Sequence, residues 1–122
     1  SEDHDHGFIT ALADGQIGKA LSKLHETPSQ SWSVETLAKE AGMSRSAFAE
    51  RFSRLVEMSP MQYLTRWRMT QANEFFLTTD QSVAQVAELC GYQSEPAFAK
   101  AFKKQFGYGP WQARRNKKLN SS

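Results

Sequence analysis

The sequence predicts an all-α fold of seven helices, built as two similar bihelical subdomains joined by one long connecting helix. Three observations carry that prediction. Apolar residues recur at three- and four-residue spacing along most of the chain, with no convincing strand-like alternation. Ser or Asp heads almost every such stretch, and Gly or Pro follows it. Finally, a segment of about thirty residues occurs twice.

Residues 1–13 are acidic and polar, then weakly apolar. They read as a flexible N-terminal linker or an appended segment, with disorder expected over Ser1–Gly7. The chain opens Ser1-Glu2-Asp3 without Met or a signal-peptide pattern, so a piece of a longer protein is expected. His4 and His6 alternate with Asp3 and Asp5, but a metal site needs further ligands in fixed geometry, and His25 is the only other His. No metal or cofactor is expected.

Asp14 caps the first helix, whose inner stripe is Ile17, Ala20, Leu21 and Leu24, and Thr27-Pro28 ends it. Ser33 caps Val34–Ala41. Trp32 and Leu37 can staple its entry, and Gly42 closes it. Ser44 caps the third helix, with Phe48, Phe52 and Leu55 facing inward and Met43 with Phe48 repeating the staple. Ser59-Pro60 is a cap followed by Pro at the first helical position. The helix it opens is expected to reach about Leu77, roughly 27 Å at 1.5 Å per residue. Ser82 with Gln85 forms a capping box for a short helix that Gly91 closes. Ser94 caps the next, carrying Phe98, Phe102 and Phe106, and Gly109-Pro110 starts a last helix ending near Arg115. The expected organisation is a first subdomain over 14–59, a connecting helix over 60–78, a second subdomain over 79–116 and a disordered basic tail over 117–122.

The net charge of +2 hides an asymmetry: residues 1–30 sum to −3, whereas residues 91–122 hold seven basic residues against one acidic and sum to +6. A basic end of this kind suits a polyanionic partner or a solvated tail. No run of 18 apolar residues exists, so no membrane span is expected. A single cysteine, Cys90, cannot form an internal disulfide, which fits a reducing cytoplasm.

The repeat decides between these options. VETLAKEAGMSRSAFAERFSRLVEMSPMQYL, Val34 to Leu64, resembles VAQVAELCGYQSEPAFAKAFKKQFGYGPWQAR, Val83 to Arg114. Val34, Ala38 and Gly42 match Val83, Ala87 and Gly91 at an offset of 49. Ser44, Ala47, Phe48, Ala49, Phe52, Pro60 and Gln62 match Ser94, Ala97, Phe98, Ala99, Phe102, Pro110 and Gln112 at an offset of 50, so the second turn is one residue longer. Each copy reads helix, Gly-containing turn, helix. This is the helix-turn-helix pattern, in which a small Ala lets the helices approach and the Phe pair anchors the second helix. One copy alone would fit a generic helical hairpin equally well, whereas two copies joined by a long helix point to DNA. Successive major-groove faces lie about 34 Å apart, a span that the connecting helix plus its turns can bridge.

These residues are similar to the DNA-binding domain of the AraC/XylS family of bacterial transcription regulators, over Ile17 to Arg115. GYQSEPAFAKAFKKQFGYGP (Gly91–Pro110) resembles the family's second-motif pattern Gly-Tyr/Phe-x-Ser-x-x-x-Phe-x-x-x-Phe-Lys-x-x-Phe-Gly-x-x-Pro. AGMSRSAF (Ala41–Phe48) and SPMQYLTRWRM (Ser59–Met69) supply the first motif and the connecting helix. Gly109 departs from the pattern, since Ser or Thr commonly precedes that Pro. The resemblance implies a homeodomain-like pair of helix-turn-helix subdomains binding double-stranded promoter DNA and touching RNA polymerase. It also implies a separate ligand-binding or dimerisation domain outside this chain. The wording AGMSRSAF and RWRM is similar to members in which that domain is cupin-like.

With the Phe stripes inward, the first recognition helix turns Ser44, Arg45, Ser46, Ala49, Glu50, Arg51 and Arg54 outward. The second turns out Ser94, Glu95, Pro96, Ala99, Lys100, Lys103 and Lys104. Arg45 or Lys100 can donate to guanine, Glu50 or Glu95 can accept from cytosine, and Ala49 and Ala99 can meet a thymine methyl. Lys103, Lys104 and Arg51 suit phosphate, and both helix N-termini offer free N–H groups to it. Pro96 brings no hydrogen-bonding side chain to its position. Trp67 suits packing, while Arg66 and Arg68 suit either the DNA backbone or carboxylates. No catalytic residues are expected: Cys90 sits on an apolar stripe, and no phosphate-binding Gly loop or metal motif appears. The cysteines of the related Ada-type repair proteins are missing. The alternative function is a helical protein-interaction module, which would need an apolar groove where these helices are polar. The chain alone is expected to be monomeric.

Overall fold

The computed structural model describes residues 9–27 and 30–120, with side chains through Lys117. Among the described residues there are helices and no strands. A short helical stretch over 9–13 (α1) precedes α2 (Gly15–Glu26), α3 (Val34–Ala41), α4 (Arg45–Val56), α5 (Pro60–Thr78), α6 (Val83–Leu89), α7 (Glu95–Phe106) and α8 (Pro110–Asn120). Two compact units divide between Leu64 and Thr65, inside α5, so the helix read as a connector is shared between the units.

The first unit buries Ile17, Ala20, Leu21 and Leu24 of α2 with Leu37, Ala38 and Ala41 of α3 and Phe48, Phe52 and Val56 of α4. The inner stripe of α4 runs through Val56 at four-residue steps, and the expected Leu55 is only half-buried. Asp14 accepts from the backbone N–H of Gln16 and Ile17, and Ser33 forms a reciprocal capping box with Thr36. Trp32 is buried, and its indole N–H donates to the Thr27 carbonyl at 2.8 Å, fixing the approach to α3.

The second unit packs Met69, Ala72 and Phe76 of α5 against Val83, Val86 and Ala87 of α6, Phe98 and Phe102 of α7, and Ala113 of α8. The Phe76 and Phe102 rings meet edge-on at 5.6 Å. Ser82 and Gln85 form the expected capping box.

The expected seven helices become eight among the described residues, and the expectations for the two ends of the chain change. The linker expected over 1–13 is helical at 9–13, where Ala11 is fully buried and α2 comes so close that a Cβ on Gly18 would collide with the Leu12 carbonyl. The weak apolar content of that stretch hid a contact made by small residues. The disorder expected at Ser1–Gly7, and the histidines there, lie outside the described residues, as does Pro28. The last helix continues to Asn120 rather than ending near Arg115, so the tail expected over 117–122 is helical through 120. Lys117 is tied to the fold, its Nζ standing 2.7 Å from the Asp80 carboxylate.

Candidate nucleic-acid interface

Recognition helices α4 and α7 are built alike. Ser44 and Ser94 cap them, each Oγ accepting from the backbone N–H three residues on, Ala47 or Ala97, at 3.2 Å. Phe48 and Phe52 in one helix, and Phe98 and Phe102 in the other, are fully or almost fully buried. This inward anchoring turns the opposite faces to solvent. On α4 those faces expose Arg45, Ser46, Glu50 and Arg54, with Ser44 exposed at the cap, Ala49 half-buried and Arg51 half-buried. On α7 they expose Pro96, Lys100, Lys103 and Lys104, with Ser94 exposed at the cap and Glu95 and Ala99 half-buried. Each unit therefore turns most of its expected residues to solvent on one helix, while Arg51 lies to the side, toward α2.

The cations of the two helices differ in their surroundings. Arg45 stands 3.3 Å from Glu35 of α3, both side chains being well exposed. The Glu35 carboxyl is held below its ordinary range, first by a backbone N–H at the head of α3 and then by Arg45. Arg54 pairs with Glu50 one turn earlier, at 3.8 Å. Arg51 donates to the Gln16 side-chain carbonyl at 2.8 Å and stands 3.7 Å from Asp14. Asp14 is lowered mainly by the Ile17 N–H, which outweighs the opposing desolvation, with smaller help from the Gln16 N–H and Arg51. Arg51, expected at a phosphate, thus joins α4 to the head of α2. Among the described residues, no carboxylate stands within ion-pair range of Lys100, Lys103 or Lys104.

Three basic side chains have roles that the sequence did not reveal. Arg68 is buried against the second turn. Arg114 and Lys117 bond the carbonyl end of α5. The signal for Arg68 was the extra residue in that turn. For the other two it was the lack of any basic residue in the last turn of α5. Arg66 is exposed and Trp67 half-buried. Burial pushes the Cys90 thiol up to about 12, so it is no nucleophile at neutral pH. Among the described residues no cluster of His, Cys, Asp or Glu could hold a metal, and no helix is long and apolar enough to cross a membrane.

A family model described as a helix-turn-helix domain matches residues 37–116. The transcriptional regulator AlkR of Acinetobacter baylyi is 38% identical over 108 residues, covering 88% of this chain and 35% of AlkR. A putative AraC-like transcription regulator of Streptomyces lividans is 39% identical over 110 residues, covering 90% of this chain and 36% of that protein. This chain therefore spans about a third of the length of these relatives. Among solved structures, the DNA-binding domain of the global transcriptional factor AdpA, crystallised with a target DNA, superposes with a TM-score of 0.82 at 34% identity, covering 88% of this chain and 96% of that one.

Proposed function

Because this chain belongs to the AraC-type helix-turn-helix family of transcription regulators, we propose that it binds double-stranded promoter DNA in a sequence-specific way through α4 and α7. The observation that carries the proposal is the matched outward faces of these helices. Both present small, polar and charged residues at repeat-equivalent positions, above an anchored Phe pair. That chemistry suits base edges and phosphates, and it is poor in the apolar area that a helix-docking groove would need.

In this reading α4 and α7 enter successive major grooves. Arg45 and Lys100 donate to guanine, Glu50 and Glu95 accept from cytosine, and Ala49 and Ala99 approach thymine methyls, with Ser46 adaptable to either edge. Lys103 and Lys104 meet phosphate, which sets register. Arg51 holds Gln16 through Nη1 alone, which leaves its other N–H groups for a phosphate. The family consists of regulators rather than enzymes. Bacterial transcription control in the cytoplasm, contact with RNA polymerase and a separate regulatory or dimerisation domain complete the proposal. The relatives' greater length supports that last part.

The test is selection of bound duplexes from a random pool at moderate salt. Two short motifs spaced by about one helical turn, 10.5 bp, are expected. One enriched half would limit reading to one helix. Absence of binding even at low salt would sink the proposal.

A further inference from the structure

Arg68 is the one charged side chain that is buried among the described residues, 9% exposed. It comes from α5, and its guanidinium lies over the Tyr92 ring, with Cζ 5.7 Å from the centroid. The same group roofs Gly91, where a Cβ would stand 3.0 Å from Nη2 and 3.2 Å from Cζ. Gly91 also holds a φ of 87°, so both space and backbone demand glycine there. Tyr92 in turn packs edge-on against Phe98 of α7 at 5.5 Å. A continuous line of contact therefore runs from α5 through the turn into the second recognition helix.

Burying a guanidinium costs desolvation, and the repeat supplies a reason for it at this place. The first turn, Gly42-Met43-Ser44, is one residue shorter than Gly91-Tyr92-Gln93-Ser94. At Gly42 an added Cβ would meet nothing within 4 Å, so the short turn is open where the long one is covered. The extra residue adds two soft dihedrals to the segment that aims α7. The backbone also enters the two helices differently: ψ is 119° at Ser94 and 158° at Ser44.

We propose that Arg68 is a positioning residue for α7. By pinning Gly91 and Tyr92 it removes the freedom that the longer turn introduces, and so fixes how α7 presents Glu95, Ala99 and Lys100. Its consequence for base preference rests on the DNA reading above, whereas its hold on the turn does not.

Arg68→Met and Arg68→Lys test this by amide hydrogen exchange on the free protein and by selection from a random duplex pool. Exchange at residues 92–97 should rise about tenfold or more in Arg68→Met, the size expected for losing a desolvated cation–π contact. Exchange in α4 should stay unchanged. The selected motif should keep one half and lose base preference in the other, the same half that weakens in Lys100→Ala. Arg68→Lys keeps the charge without the planar fork and should move both readouts in the same direction, which covers the case in which the Met variant fails to fold. Uniform acceleration throughout residues 65–117, or no change in either readout, would overturn the proposal. If the unmodified protein selects no motif, the DNA reading fails and the exchange result alone decides whether Arg68 holds the turn.

Discussion

Arg114 of α8 donates to the Thr79 carbonyl at 2.6 Å, just beyond the end of α5. The same guanidinium donates to the carbonyls of Phe76 and Gln81 and lies over the Phe76 ring, 5.0 Å from its centroid. Lys117 donates to Thr79 as well, at 3.0 Å. The last turn of α5 has no basic residue of its own, so cations from a later helix satisfy its Phe76 carbonyl, the carbonyls just past its end and the negative end of its dipole. Two of the basic residues that give the C-terminal segment its charge thus belong to the fold.

Arg114→Met should therefore destabilise the second unit by about 3 kcal/mol, since hydrogen bonds to a charged group are worth about 1.5–3 kcal/mol each. Lys117→Met should cost less, because Asp80 is almost fully exposed. Urea unfolding followed by tryptophan fluorescence reads both. A midpoint for Arg114→Met equal to that of the unmodified protein would show that water replaces the clamp without loss.

The two recognition helices end in the same left-handed conformation with different residues. Gly107 closes α7 at a φ of 83°, whereas Glu57, its repeat equivalent, closes α4 at 64°. A side chain in that region costs about 1–2 kcal/mol, and a carboxylate at a helix C-terminus opposes the dipole. Glu57→Gly should stabilise the first unit by about 0.5–1 kcal/mol after the entropy that glycine loses on folding. Gly107→Glu should destabilise the second unit by a similar amount. Thermal unfolding of both variants checks the pair, and shifts of the same sign would sink the explanation.

The helix frame was legible because each start is written locally. Asp14, Ser33, Ser44, Ser82 and Ser94 all cap where they were expected to. The outward faces of α4 and α7 were legible for the same reason, because the Phe spacing alone orients each helix. What the sequence hid depends on contacts between residues far apart in the chain. Arg68, Arg114 and Lys117 look like any other surface cations until packing places a carbonyl or an aromatic ring beside them. The bond from Arg51 to Gln16, 35 residues away, was equally hidden.

His25 should give the first unit a pH dependence. Its Nε2 lies 2.8 Å from the Tyr63 hydroxyl, and burial pushes its pKa below the ordinary 6.5. Burial raises Tyr63 well above the usual phenol range, so the phenol keeps its proton. Unfolded His25 thus binds a proton at higher pH than folded His25 does. Stability should be full above about pH 6.5 and decline as the pH falls from there to the depressed folded value. Asp14, whose pKa is also lowered, contributes only in a separate window below about pH 4. His25→Asn should flatten the change in urea midpoint between pH 7.5 and 5.5. Identical slopes in the two proteins would assign the dependence to other groups.

Salt should act more strongly through α7 than through α4. Arg45, Arg51 and Arg54 each stand beside a carboxylate. A phosphate approaching them must compete with Glu35, Asp14 or Glu50, and fewer counterions are released per cation. Lys103 and Lys104 are exposed, with no carboxylate in range among the described residues, so a phosphate reaching them would displace no ion pair. If both contact phosphates, Lys103→Ala with Lys104→Ala should flatten the slope of log K against log salt by about 1.8 units. Arg54→Ala should change it by less than one full contact. Fluorescence anisotropy with one selected duplex at several potassium chloride concentrations reads both slopes. A double-lysine slope equal to that of the unmodified protein would remove these side chains from the phosphate backbone. Their place at the C-terminal end of α7 would then serve its dipole instead.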